Sequence, residues 1–236
     1  MSHAIVILTG AGISAESGLQ TFRAADGLWE NHRIEDVATP EGFAKDPLKV
    51  QAFYNTRRQQ LLSDEVSANP AHYALAKLER EFPGEVLIVT QNIDDLHERA
   101  GSQNVLHMHG ELLQMRCVES GQVFPVHDDI TAEQRCACCQ KAGTLRPNIV
   151  WFGEMPLGMS KIEQAIQRCD HFVAIGTSGH VYPAAGFVAE ANSSGAHSLE
   201  INLEPSLVNS AFQQTLIGKA SVRVPEWVEQ QLSGLK

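Results

Sequence analysis

The chain has 236 residues, 43% of them apolar and 19% charged, which suits one large domain or one domain carrying a smaller insertion. No apolar run approaches the roughly 18–20 residues of a membrane span, and the apolar start Ala4-Ile5-Val6-Ile7-Leu8 lacks the length, basic flank and cleavage site of a signal peptide. A net charge of −10 with no basic stripe argues against nucleic acid as a partner.

In chain order, strands are predicted at Ile5–Thr9, Val86–Thr90, Val105–Met108, Phe172–Gly176, Ser198–Leu203 and Val222–Val224. Helical patterns lie between them, among them Ala71–Glu81, Ser160–Arg168 and Ala184–Ser193. Several strand runs are continuously apolar rather than alternating, as expected of a parallel sheet covered on both faces. Strand–helix alternation predicts an α/β fold with a Rossmann-like doubly wound parallel sheet, built from residues 1–28, 82–111 and 147–236. Two stretches break the alternation. Residues 29–81 read as helical, with no strand signal between Trp29 and Asn69, and residues 112–146 hold a cysteine cluster and little regular pattern. Both are expected to be insertions that together form a smaller domain, helical in one part and metal-binding in the other.

The first predicted strand runs into Thr9-Gly10-Ala11-Gly12-Ile13-Ser14. Glycines after a strand allow a sharp bend and close approach of a ligand, and the amides at a following helix start can hold a diphosphate. Alone the pattern is weak, because the usual dinucleotide fingerprint wants a third glycine where Ala15 stands and an acidic residue about 20 positions on. Further words follow other strands: Thr90-Gln91-Asn92-Ile93-Asp94-Asp95-Leu96-His97, His107-Met108-His109-Gly110-Glu111, Gly176-Thr177-Ser178 and Asn202-Leu203-Glu204. In an open parallel sheet all of these fall at the C-terminal strand edge, where ligands bind. His109 is the candidate general base there, since imidazole titrates near neutral pH. His107 shares its strand face by alternation and reads as structural. Asp94 or Asp95 can also cap the helix that follows.

Taken together, GAGIS, GLQTFRAADGLW, TQNID, HGE at 109–111, PNIVWFGE at 147–154, GTS and NLEPS resemble the sirtuins, NAD-dependent protein lysine deacylases, in the family's order and through nearly the whole chain. The resemblance implies that nicotinamide is displaced from NAD by the amide oxygen of an acyl-lysine. A base then takes a ribose proton, and the products are free lysine and O-acyl-ADP-ribose. It implies His109 as the base, with Asn92 and Asp94 orienting ribose, nicotinamide amide and water. It implies cofactor contacts from Gly10, Ala11, Gly12, Ser14, Phe22, Arg23, Trp29, Gln91, Ile93, Gly176, Thr177, Ser178, Asn202, Leu203, Glu204 and Ala220. Arg23 is assigned to phosphate or the ribose region, and Phe22 to covering the nicotinamide end. Val150, Trp151 and Phe152 match the segment whose backbone pairs with the substrate peptide. Expected partners are acylated lysine segments of cytoplasmic proteins, with no membrane or nucleic acid, and the oligomeric state is left open, a monomer included. Mono-ADP-ribosyl transfer is the alternative on the same site. A hydride-transferring dehydrogenase is disfavoured by the missing glycine and acid.

Tyr54 and Arg57 stand three apart, on one face if their segment is helical. A phenol and a guanidinium together can hold a carboxylate. They resemble the Tyr-x-x-Arg signature of class III sirtuins, which accept succinyl- and malonyl-lysine, and Ala24 matches the small residue of that acyl pocket. Deacetylation is expected alongside. The five cysteines are Cys117, Cys136, Cys138, Cys139 and Cys169, and an odd count without an export signal argues against disulfides and for metal or redox chemistry in a reducing, cytoplasmic compartment. The family's structural zinc site has two Cys-x-x-Cys pairs. Here Cys136 and Cys139 keep one, while Cys117 is followed three positions later by Ser120. The fourth position is thus left open to Cys138, to water, or to weak binding.

Overall fold

Six short runs of β-branched and leucine-rich sequence line up side by side in a computed structural model of the chain, which describes residues 3–19, 28–29 and 32–234. The elements, in order, are β1 (Ala4–Thr9), α1 (Ala11–Ser14), β2 (Leu28–Trp29), β3 (His32–Arg33), α2 (Ile34–Val37), α3 (Pro40–Lys45), α4 (Pro47–Leu61) and α5 (Pro70–Glu81). There follow β4 (Glu85–Thr90), α6 (Leu96–Arg99), β5 (Val105–His107), β6 (Gly110–Cys117), β7 (Val123–Pro125) and β8 (Leu145–Ile149). The chain closes with α7 (Met159–Ile166), β9 (His171–Ile175), α8 (Phe187–Ser193), β10 (His197–Asn202), β11 (Gln214–Ile217) and α9 (Ala220–Ser233).

The six-stranded sheet has the order β11-β10-β9-β1-β4-β5, and its strand pairs are parallel. Numbered by appearance within this sheet, that is the doubly wound 3-2-1-4-5-6 arrangement, with its reversal between β1 and β9. Residues of opposite parity feed opposite faces. Ile5, Ile7, Val86, Ile88, Val173 and Ile175 pack with α5 and α9, whereas Val6, Leu8, Leu87, Val89, Phe172 and Ala174 pack with α7 and α8. Both faces being covered is why these runs lack polar alternation. Register brings Thr9 level with Thr90 and Ile175, and Thr90 level with His107, so the words that follow these strands leave the sheet at one edge.

Sequence reasoning misplaced one strand. Val222 and Val224 lie in α9, where Val224, Trp227 and Val228 form the buried stripe at helical spacing while Val222 is exposed. The sixth strand is β11, an edge strand whose Gln-Thr-Leu-Ile sequence is too polar to stand out. The stretch expected to hold no strand contains the short antiparallel hairpin β2–β3, and the cysteine stretch contains the antiparallel sheet β7-β6-β8.

The helices of the first insertion start where the chain supplies caps. Thr39, Asp46 and Asn69 each accept an amide hydrogen bond ahead of a proline at the first helical position, and Asn69 with His72 completes a capping box. α4 is stitched to the cysteine-bearing segment by buried polar groups. Arg58 donates to the carbonyls of Leu112 and Asp128, Asn55 pairs with both backbone groups of Ile130, and Gln51 donates to the Leu145 carbonyl.

Candidate active site

The reversal between β1 and β9 opens onto a cleft of about 830 Å³, within the range typical of small-molecule sites. Its floor is backbone. The Gly10–Gly12 turn and the Gly176 turn pack directly on each other, with the Gly10 amide donating to Ile175 O and the Gly12 amide to Gly176 O. A Cβ on Gly12 would lie 2.7 Å from Gly176 Cα, and one on Gly176, at φ +64°, only 2.4 Å from Ile13 N. These glycines therefore serve a turn-on-turn contact that leaves a shallow cradle above it. Because the Gly12 amide is engaged by Gly176, it is not available to a diphosphate, contrary to the simplest reading of the motif.

Past β4, Gln91 is fixed by its amide to Thr9 O, and Asn92 by its amide to Thr90 Oγ1. The Asn92 side chain donates to Ser14 Oγ, which donates in turn to Asp94 Oδ2, while Asp94 Oδ1 accepts from the Leu96 amide. Of the two aspartates considered as caps for α6, Asp94 is thus the one whose side chain takes an amide at the helix start. Burial raises the Asp94 carboxyl to about 6, against the lowering effect of its hydrogen bonds. At the next strand end, His109 Nδ1 lies 3.1 Å from the Gln91 carbonyl. A carbonyl can only accept, so Nδ1 carries the proton and Nε2 is left as the basic nitrogen. Burial holds the His109 pKa below the ordinary imidazole value, partly offset by the Gln91 carbonyl, so the free base predominates at neutral pH. The glycine of this word is required: a Cβ on Gly110 would sit 2.0 Å from Asn148 O.

The cleft wall brings together Gly10, Ala11, Gly12, Ser14, Trp29, Gln91, Asn92, Ile93, Asp94, His109, Gly176, Thr177, Ser178, Asn202, Leu203 and Glu204. It also brings Tyr54, Arg57, Val150, Trp151 and Phe152 to the same space. Ala220 is not on this wall. It begins α9 and packs in the core beneath the sheet. Phe22, Arg23 and Ala24 lie outside the described residues. The Val150–Phe152 segment differs from expectation in one respect. Its three amides donate to His109 O, Glu154 Oε2 and Ala38 O, so strand-like pairing with a peptide there falls to carbonyl oxygens.

Two contributors escaped the sequence reading. His107 bridges Asn92 O at 3.3 Å and Glu98 Oε1 at 2.8 Å, and although burial opposes it, Glu98 raises its pKa. A doubly donating imidazolium behind the Asn92 loop fits that geometry. Its only signal was a histidine two before His109. Arg146, 6% exposed within the strand Leu-Arg-Pro-Asn-Ile, stacks on Trp151 and pairs with Glu154. A lone cation in an apolar strand was the available clue.

At the far end of the cysteine-bearing sheet, the thiol sulfurs of Cys117, Cys136, Cys138 and Cys139 all lie within 4.8 Å of one another. Tetrahedral zinc with Zn–S near 2.3 Å sets ligand sulfurs ~3.8 Å apart; Cys117 and Cys139 stand at 3.8 Å, while Cys136 and Cys138, at 3.1 Å, would have to spread to ligate together. Cys138 takes the position that Ser120 vacates, with Ser120 Oγ 3.1 Å from its sulfur. Four thiolates in this volume are a closed donor set that suits structural zinc rather than catalytic zinc.

The description "Sir2 family" matches residues 10–183 of the chain. A protein named NAD-dependent protein deacylase from Escherichia coli (strain K12) is 62% identical over 232 residues, covering 98% of this chain and 83% of that one. A protein of the same name from Vibrio cholerae is 63% identical over 229 residues, with 97% and 93% covered. Among solved structures, a Sir2 homologue–NAD complex superposes with a TM-score of 0.89 at 39% identity, covering all of this chain and 91% of that one. A complex described as Sir2–p53 peptide–NAD+ superposes at 0.83 with 29% identity, covering 100% and 95%.

Proposed function

This chain belongs to the Sir2 family, and we infer from that premise and the cleft that it is an NAD-dependent protein lysine deacylase acting with His109 as general base. The carrying observation is the His109 ring, tautomer-fixed by Gln91 O, in one cleft with the glycine cradle and the Ser14–Asn92–Asp94 cluster. NAD supplies a ribose whose bond to nicotinamide breaks as the acyl amide oxygen attacks. This chain's residues supply position and proton transfer. The turns at Gly10–Gly12 and Gly176–Ser178, with Asn202 and Glu204, receive the adenosine side. Asn92 and Asp94 orient the ribose and nicotinamide amide, and His109 Nε2 takes the ribose hydroxyl proton. Burial of His109 favours its neutral form and so keeps the base competent at pH 7.

The acyl groups accepted include acetyl and ones with an acidic tail. Tyr54 and Arg57, one helical turn apart on α4, line the same cleft as the glycine cradle and can receive a carboxylate from a succinyl- or malonyl-type group. The substrate is an acylated lysine in a protein segment, laid along Val150–Phe152. A reducing compartment such as the cytoplasm suits the four-thiolate cluster. No helix of the described residues is long and apolar enough to cross a membrane.

The test incubates the protein with NAD and matched acetyl- and succinyl-lysine peptides, following free nicotinamide and peptide mass. Loss of acyl mass coupled to nicotinamide release is expected. Nicotinamide release with intact peptide would instead indicate ADP-ribosyl transfer. Arg57→Met is expected to lower the succinyl-to-acetyl ratio of kcat/KM by about tenfold or more, the worth of a charge-assisted hydrogen bond. Equal losses on both peptides would reject the carboxylate site.

A further inference from the structure

The acidic-acyl reading leaves open what makes a buried tyrosine a donor rather than an acceptor. The Tyr54 side chain is fully buried, and its oxygen accepts a hydrogen bond from Trp151 Nε1 at 3.0 Å. An indole N–H only donates, so this bond uses a phenol lone pair and leaves the phenol proton unengaged. Burial pushes the phenol pKa well up, so the proton stays on. No acceptor for it stands among the described residues. A bound carboxylate oxygen gives this buried donor the acceptor it lacks, and an acetyl methyl does not.

Trp151 is itself held on every side. The Arg146 guanidinium carbon lies 3.2 Å from the centroid of its ring. Arg146 donates to both oxygens of Glu154, at 2.8 and 3.0 Å, and to Ile149 O at 2.8 Å. The same Glu154 accepts from the Trp151 amide at 2.8 Å and from Arg116 at 2.9 Å. Both Glu154 oxygens are therefore committed and do not compete for the phenol proton.

We propose that Arg146, Glu154 and Trp151 form a positioning brace that sets specificity for acidic acyl groups, Trp151 Nε1–H occupying the Tyr54 oxygen so that the phenol presents its proton to the acyl carboxylate. The brace rests on the acidic-acyl reading of Tyr54 and Arg57 and extends it to the residues that hold Tyr54 in place.

The test uses the full chain with NAD and the matched peptides. Trp151→Phe keeps an aromatic ring and removes the N–H donor along with part of the buried indole, and the Tyr54→Phe background separates the two effects. Its succinyl-to-acetyl ratio of kcat/KM is expected to fall about tenfold, mostly through KM for the succinyl peptide. In a Tyr54→Phe background the same change should move the ratio less than about twofold, because the coupling partner is gone. A ratio unchanged in Trp151→Phe, or an equal fall in the Tyr54→Phe background, overturns the brace. Should Trp151→Phe reduce the folded yield, Glu154→Gln loosens the brace with the indole retained. A smaller fall in the ratio, carried by KM, is then expected, and an unchanged ratio in folded Glu154→Gln overturns the proposal. Wild-type protein that deacetylates but never desuccinylates would reject the carboxylate reading and the brace with it. Wild-type desuccinylation with an unchanged succinyl-to-acetyl ratio in Trp151→Phe rejects the brace alone.

Discussion

The two sides of the cleft are built by different means. On the sheet side, backbone does most of the shaping: Gly12 and Gly176 meet so closely that no Cβ fits, and Gln91 and Asn92 are held through their amides. On the insertion side, side chains do it: Tyr54, Arg146, Trp151 and Glu154 come from segments up to 100 positions apart in number and are fixed by buried polar contacts. A backbone-built wall recognises what every turnover shares. A wall built from side chains can differ between relatives without disturbing the sheet, which makes it the expected seat of the proposed acyl preference. Changes on the sheet side should therefore act alike on all acyl substrates, and changes on the insertion side should alter their ratio.

The strongest challenge to that division is His109→Ala. It should lower kcat for acetyl and succinyl peptides alike by about 10²–10⁴-fold, the usual worth of a general base, with an unchanged melting temperature. Single-turnover measurement with both peptides checks it, and a loss confined to one acyl group would break the division. Removal of zinc should act on the other side. A chelator strong enough to strip the four cysteines is expected to melt the β7-β6-β8 sheet first, because its local core is small and includes Cys117 and Cys136. Metal analysis should give one zinc per chain, and circular dichroism should show a partial transition with the parallel sheet retained.

Gly176→Ala comes next in size. The added methyl meets Ile13 N and an unfavourable φ, so the two turns must part. A cost of about 3 kcal/mol is reasonable for an over-packed, strained site. It should appear as a lower melting temperature and a raised KM for NAD, with the succinyl-to-acetyl ratio unmoved. A shifted ratio would mean that the two walls are mechanically coupled.

The same contrast explains what the sequence disclosed. The sheet-edge words were legible because each is short, contiguous and follows an apolar run, so Gly10, Asn92, His109 and Gly176 could be placed at one edge without coordinates. Tyr54 and Arg57 stood out as a pair only through the resemblance to the Tyr-x-x-Arg signature, since helical spacing alone fits an ordinary surface helix equally well. The Trp151–Tyr54 bond and the Arg146–Glu154 pair were not, since no periodicity links residues brought together by folding. Cys138 illustrates the same limit: composition placed it near the cluster, but only folding put its sulfur where Ser120 left room. Val222–Val224 failed for another reason, that a Val-Arg-Val run fits both a strand and one turn of an amphipathic helix, and the pairing of Val224 with Trp227 and Val228 decided it.

Asp94 sharpens the sheet side further, because its buried carboxyl weighs on stability in a pH-dependent way. Its folded pKa, about 6, lies above the unbound value of 3.8. Below about pH 3.8 the group is neutral in both states and contributes no penalty. As pH rises toward 6 the unfolded chain ionises while the folded one resists, so stability is lost across that window and stays lost above it. The shift corresponds to up to about 3 kcal/mol at pH 8. Asp94→Asn keeps an acceptor for the Leu96 amide and carries no charge. It should therefore melt higher than the wild type at pH 8, by an amount that shrinks toward zero near pH 4, while deacylation of both peptides falls together. A gain in melting temperature independent of pH would show that the ionised carboxylate is not what strains the site. The expected pattern instead means that the cleft keeps a destabilising charge beside Ser14 and Asn92 because the reaction uses it.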